Sequence, residues 1–284
     1  ENGYGSLLII GRKPAPAGDA PNAAGMSDMG AVVEGMLGDV LNDTERGGVG
    51  VAGRSEEAAN LKAHPAHGPP RFKTSPQRVL VTGVTGHVGS HVVPKLLKEG
   101  AEVYAVARDA GRAADLLPPD PRLHHVPADL STAEGLRTII QAMREGQVDT
   151  VIHLGALSMP SRETPLASLY ATNVVATTIL AREAARLGIR FIFASSDHVY
   201  KMLGTEAGRD DEPLPISSAT QRWLDEATWR LETALDAWEA QPNTFDPQAA
   251  IEFLEQMGFP QEAVKSPKEH YAFSKLWAEQ LVRK

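Results

Sequence analysis

The 284-residue chain contains no cysteine. That excludes disulfides, thiolate nucleophiles and zinc–sulfur sites, and it fits a reducing compartment. No apolar run approaches the roughly 20 residues of a membrane span, and the start lacks the pattern of a secretory signal. Positive charge is also short: 28 basic against 36 acidic side chains leave a net charge of −8. Neither a nucleic acid nor an anionic membrane is the expected partner, and an anionic ligand needs a local positive site. These absences lead us to expect a soluble, cytoplasmic protein. The chain opens on Glu1 rather than methionine, as a processed or trimmed form would.

What is present begins with periodicity. Between residues 78 and 200, β-rich apolar runs alternate with helical patterns in the manner of βαβ units. Strands are expected at Arg78–Thr82, Glu102–Ala107, Leu123–Val126, Thr150–Leu154 and Arg190–Ala194. Helices are expected near His87–Glu99, Ser131–Glu145 and Pro165–Leu187, and Gly100 and Gly188 stand where helix C-terminal glycines belong.

The flanks differ in character. Residues 13–77 are rich in Gly, Ala and Pro, with an amphipathic helix expected at Met29–Leu41 and a linker over 42–77. Ser6–Ile10 instead reads as a buried strand that needs a sheet to join. Within 216–265, Leu224, Leu231, Leu235 and Trp238 form one helical stripe, the first arm of an inserted helical hairpin. Its second arm is expected from Asp246 as N-cap, with Pro247 in the first turn, to Gly258. The triplet Met257-Gly258-Phe259 resembles the loop of ubiquitin-associated domains. A glycine cap with Phe259 folded back on Leu254 is the expected reading.

Two patterns carry chemistry. Val79 to Gly89 reads as strand, glycine turn and helix start, the context in which a glycine fingerprint has meaning. Gly83, Gly86 and Gly89 let a pyrophosphate approach, and the backbone of Thr85, His87 and Val88 opens a helix whose N–H groups and dipole hold an anion. At the next strand end the chain reads Val106-Ala107-Arg108-Asp109. The acid that would bind ribose hydroxyls is replaced by Ala107, and the Arg108 fork suits a phosphate, so NADP is favoured over NAD. The alternative leaves Arg108 solvated and gives the ribose contact to Asp109.

The second pattern is Tyr271 and Lys275, four apart and so on one helical face. Making tyrosinate near neutral pH costs roughly 4 kcal/mol at ~1.36 kcal/mol per unit from a pKa of about 10. An ammonium about 4 Å away offers a similar ~4 kcal/mol at an effective dielectric near 20. The plain alternative is a packed Tyr271 and a solvated Lys275.

With these motifs in this order, the chain resembles an extended short-chain dehydrogenase/reductase of the epimerase/dehydratase type. The resemblance runs from Val79 to about Tyr200 and resumes over Pro267–Val282. His153-Leu154-Gly155-Ala156 is similar to the family's strand-four motif, Ala128-Asp129-Leu130 to its adenine-contacting stretch, and Asn173 to its structural and relay asparagine. Ser195-Ser196-Asp197-His198-Val199-Tyr200 is similar to the strand-five motif.

The resemblance implies an α/β fold, a Rossmann-like doubly wound parallel sheet over 78–215, completed by a catalytic helix at 266–284. It implies hydride transfer at a hydroxyl or keto carbon of a sugar, sugar nucleotide or similar small molecule. Tyr271 would be the acid/base, Ser196 would hold the reacting oxygen, and Lys275 would lower the tyrosine pKa and bind the nicotinamide ribose. Asp129, Leu130, Gly155, Ala156 and Asn173 join the glycine turn as implied cofactor contacts, no metal is required, and a homodimer through helices at 165–187 and 268–284 is implied. A carbonyl reductase using NADPH is one alternative. Another is a non-catalytic nucleotide-sensing scaffold whose insertion binds a partner of unknown kind.

Singly, each match admits a structural role: His153 as a packed histidine, Asn173 as a helix-interior contact, Ser195 and Ser196 as a strand end. His124-His125 and Asp210-Asp211-Glu212 read as ordinary surface.

Two departures stand out. The separation of 75 positions from Ser196 to Tyr271 replaces what is normally a short loop, and the chain stops at Lys284 inside the catalytic helix. Written head to tail, Leu281–Lys284 followed by Glu1–Ile10 reads as helix, glycine turn and strand. A circular permutation would place Ser6–Ile10 in the sheet beside 190–194, with Met29–Leu41 as a remnant of the substrate side.

Overall fold

Val79-Leu80-Val81 and Phe191-Ile192-Phe193 are apolar on both faces, which suits strands covered by helices on each side. In the computed structural model the described residues are Leu8–Ile10, 77–158, 163–196, 199, 216–260, 263–264 and 266–283. The expected helix Met29–Leu41, the linker up to residue 76, Asp197, His198, Tyr200 and the run Asp210-Asp211-Glu212 lie outside them.

Six parallel strands form one sheet: β1 (Leu8–Ile10), β2 (Arg78–Thr82), β3 (Glu102–Ala107), β4 (Leu123–Pro127), β5 (Thr150–His153) and β6 (Arg190–Ala194). Their spatial order is β1-β6-β5-β2-β3-β4. β1 pairs with β6 from Leu8 opposite Ile192 to Ile10 opposite Ala194. Alternate side chains of β2 feed two separate cores: Val79 and Val81 pack with Val92, Val93 and Leu96 on one face, while Leu80 packs with Leu136, Ile139 and Val174 on the other.

Helices cross between the strands: α1 (His87–Lys98), α2 (Ala110–Leu116), α3 (Ala133–Glu145), α4 (Leu166–Tyr170) and α5 (Ala176–Leu187). α3 starts two residues later than expected, because Thr132 is its N-cap and accepts from the Gly135 N–H at 3.1 Å. The expected helix over 165–187 is interrupted by a wider π turn at Ala171–Val175. Such turns re-aim the residues they contain. Here the turn holds Asn173.

The insertion is built into the core. Its long helix α6 (Ser218–Ala240) buries Leu224, Ala227, Leu231 and Leu235. α6 lies against α5 through Arg186–Glu239 at 3.2 Å and Arg182–Glu232 at 3.8 Å. It also lies against α8 (Pro267–Arg283), where the Trp277 indole donates to Thr228 Oγ1 at 3.0 Å. α6 therefore covers part of both helices through which a homodimer was expected.

The expected second arm is reduced to a 3₁₀ turn at Ala249–Ile251 and the short α7 (Phe253–Met257). Asp246 closes an Asx turn by accepting from Gln248 N at 2.8 Å, and Gly258 ends the arm at φ 62°. Phe259, expected on Leu254, stacks between Tyr170 and Trp223, with both ring centroids 5.3 Å away.

Trp277 is fully buried where the insertion meets α8. Trp277→Ala is expected to cost about 3–5 kcal/mol, since cavity and lost burial add. Equilibrium denaturation reads this directly, and a loss below about 1 kcal/mol would mean that the insertion does not depend on α8.

Candidate active site

The chain order reverses at the sheet centre, where β2 runs between β3 and β5 and the carboxyl ends of adjacent strands leave a crevice. A cleft of about 720 Å³ opens there. Gly83, Thr85, Gly86, His87, Val88 and Gly89 line its floor at the start of α1. Gly83 has φ 71°, and a Cβ there would stand 2.8 Å from Gly155 N; a Cβ on Gly89 would stand 2.3 Å from Gly83 O. The backbone is thus drawn as close as only glycine permits, which fits a diphosphate laid against the helix N-terminus.

Ala107, Arg108, Asp129, Leu130, Gly155 and Ala156 line the same cleft, as do Tyr271 and Lys275 on α8. Arg112, which sequence reasoning did not pick out, joins Arg108 on this wall. Asp109 is committed elsewhere: it caps α2, its carboxylate accepting from Arg112 N at 2.9 Å. Asp129 turns one carboxylate oxygen to Ser131, accepting from both its N–H and its hydroxyl at 2.8 Å.

Behind the wall runs a buried network. Thr82 Oγ1 accepts from Gly155 N at 2.9 Å and contacts His153 Nδ1 at 2.8 Å, while His153 Nε2 lies 3.0 Å from Thr177 Oγ1. Thr177 donates to Asn173 O at 2.8 Å. One assignment satisfies every group: the Thr82 hydroxyl donates to Nδ1, and Nε2 carries the proton and donates to Thr177.

Asn173 continues the chain. Its amide donates to Ser274 Oγ at 2.9 Å and to Leu157 O at 3.2 Å, and its carbonyl accepts from Leu157 N at 2.8 Å. Ser274 then donates to Tyr271 O at 2.7 Å. The network therefore ties the Gly155 loop to the turn of α8 that carries Tyr271, and Asn173 sits behind the cleft rather than in its wall.

Burial drives His153 down to about 3, and the nearby Lys275 charge pushes the same way, so the ring is neutral at physiological pH. Burial likewise pulls Lys275 down to about 7, and Glu279 offsets part of that fall. Lys275 Nζ stands 4.3 Å from the Phe193 ring centroid. When protonated, the amine sits in a dry setting one helical turn after Tyr271, where its field is poorly screened.

At the end of β6, Ala194 and Ser195 form the cleft wall, and Ser195 donates to Glu279 Oε2 at 2.7 Å. Ser196, expected to hold the substrate oxygen, is half-buried and follows directly, but it is not among the residues that line the cleft. Glu279 went unnoticed in the sequence, although it stands eight after Tyr271 and so on the same helical face.

Comparison with known proteins bears on this cleft. Residues 79–223 match the model of the NAD dependent epimerase/dehydratase family. A UDP-glucose 4-epimerase of Neisseria meningitidis is 32% identical over 146 residues, 49% of this chain and 42% of that protein. A 3-beta-hydroxysteroid dehydrogenase of Mycolicibacterium neoaurum is 31% identical over 157 residues, 53% of this chain and 40% of that protein. The chain thus spans about two fifths of the length of these relatives.

A longer match, 30% over 256 residues, links 82% of this chain to 6% of the polyketide synthase-nonribosomal peptide synthetase ACE1 of Pyricularia oryzae. Among solved structures, the Bordetella bronchiseptica enzyme WbmG in complex with NAD is similar at 20% identity and a TM-score of 0.45, over 74% of this chain and 50% of that one. Because the family match takes in half of the sequence, including the glycine turn and the strands around the cleft, the chain belongs to the NAD dependent epimerase/dehydratase family.

Proposed function

We propose that the chain is an NADP-using oxidoreductase or epimerase that acts at a hydroxyl or keto carbon of a small polar substrate of the sugar-nucleotide class. The observation that carries this is the meeting of the glycine turn and the Tyr271/Lys275 pair in one cleft. The glycine turn and the α1 N-terminus would hold the diphosphate, Arg108 and Arg112 the adenosine end, and Lys275 the nicotinamide ribose. When bound, the nicotinamide supplies the hydride acceptor or donor. Tyr271 exchanges the proton of the substrate oxygen, Ser196 orients that oxygen, and the Lys275 ammonium favours the tyrosinate. The relative named as a UDP-glucose 4-epimerase supports the substrate class.

NADP is favoured by side chains this protein places at the adenosine end. Ala107 offers no carboxylate, Asp109 turns one oxygen to the α2 cap and does not line the cleft, and two guanidiniums line the wall. Charge-assisted hydrogen bonds contribute about 1.5–3 kcal/mol each. The paired change Arg108→Ala/Arg112→Ala is therefore expected to weaken NADP binding at least about tenfold while NAD binding changes little. Calorimetric titration of the full chain with each dinucleotide checks this; equal losses for both would remove the NADP assignment.

A second reading follows from the match to the Pyricularia protein, which takes in 82% of this chain. The chain would then be the carbonyl-reducing unit of a longer polypeptide, working on a polyketide or peptide intermediate. NADPH oxidation on a panel of keto and thioester substrates, set against UDP-sugars, separates the two. Turnover on neither panel, with NADP still bound tightly, would favour a nucleotide-sensing scaffold.

A further inference from the structure

Tyr271, Lys275, Glu279 and Arg283 follow one another at intervals of four along α8, so each stands beside the next on the helix surface. Lys275 and Glu279 are both buried, with 2% and 4% exposed. A buried carboxylate is costly unless hydrogen-bonded or paired. Both Glu279 oxygens meet that demand: Oε2 accepts from Ser195 Oγ at 2.7 Å and Oε1 from Arg283 Nη2 at 2.8 Å. Ser195 comes from the end of β6 and lines the cleft, so the carboxylate is anchored from outside its own helix.

Among the described residues, the other groups shown against Lys275 bring no countercharge. β6 presents the Phe193 ring, and β5 presents His153, neutral and with both nitrogens engaged. On its own helix, Tyr271 stands one turn before it. Among the described residues, the carboxylate whose charge bears on Lys275 is that of Glu279.

We propose that Glu279 is a positioning residue for Lys275: clamped by Ser195 and Arg283, it supplies the countercharge that keeps the buried ammonium protonated beside the cleft. Arg283 competes for the same carboxylate and limits the effect. The proposal rests on the reading of Lys275 as a working residue of the cleft. It assigns Ser195 to the support of that lysine rather than to substrate.

The test is a carbon-13 NMR titration of the labelled lysine side chains of the full chain, with the Lys275 signal identified by its loss in Lys275→Met. Glu279→Gln is expected to lower the Lys275 midpoint by about one pH unit or more, and Glu279→Asp to restore part of it. Arg283→Gln removes the competing cation and is expected to raise the midpoint. An unchanged midpoint in Glu279→Gln, or shifts of the same sign in the Glu279→Gln and Arg283→Gln variants, overturns the proposal. Should Glu279→Gln fail to fold by circular dichroism, Arg283→Gln decides alone, because its side chain is 46% exposed, and an unchanged or lowered midpoint there is contrary. The titration needs neither cofactor nor substrate. A chain that binds no dinucleotide would defeat the proposed function while leaving this result readable.

Discussion

Tyr271→Phe is expected to lower turnover about 10²–10⁴-fold while dinucleotide binding and folding stay close to wild type. The substitution removes one oxygen from a half-buried side chain and keeps the ring, so packing on α8 changes little. Under the proposed function, what is lost is the proton that reaches or leaves the substrate oxygen as hydride moves. The turn beneath is fixed by the Ser274 bond to Tyr271 O, which the variant retains. Steady-state rates with a parallel binding titration check the point. A variant within about tenfold of wild type, below the usual worth of acid–base catalysis, would remove Tyr271 from that role.

Gly89→Ala is expected to weaken dinucleotide binding about 10- to 100-fold or more. The added Cβ would meet Gly83 O at 2.3 Å and Val84 Cα at 2.7 Å, both backbone atoms of the glycine turn. Such atoms give way only if the turn itself opens, and overpacking of this kind costs about 1–3 kcal/mol, where ~1.4 kcal/mol is a factor of ten. Gly188→Ala is the matched control. It strains a residue at φ 67°, yet its Cβ meets nothing within 4 Å and it lies at the end of α5. It should lower stability modestly and leave binding intact. Equal binding losses in the two variants would mean that the turn geometry is not what holds the ligand.

Much of this was legible because local and long-range demands agree. The strand over Arg78–Thr82, the glycine turn and the helix from His87 announce themselves by apolar runs and by glycines whose backbone must approach its neighbours. Residues that fit poorly into such patterns were harder to read. The π turn at Ala171–Val175 has no composition signal, and the partners of its Asn173, Leu157 and Ser274, are far away in sequence. α2 is too short for periodicity, so the sequence leaves open a ribose contact for Asp109, whose carboxylate caps that helix. Phe259 was read against its local turn, whereas the aromatic cluster of Tyr170, Trp223 and His270 claims it. Glu279 needed only the helical period, but its meaning depends on Ser195, 84 positions away.

The parallel pairing of Leu8–Ile10 with β6 places the start of the described chain beside the strand that ends at the cleft.

The central claim is that one cleft holds a dinucleotide with its reacting end at Tyr271 and Lys275. A crystal structure of the full chain with NADP tests it most directly. The account predicts the diphosphate against Gly83–Gly89, the 2′-phosphate at Arg108 and Arg112, and the nicotinamide ring beside Tyr271. A dinucleotide bound in the reverse sense, or outside this cleft, would contradict it.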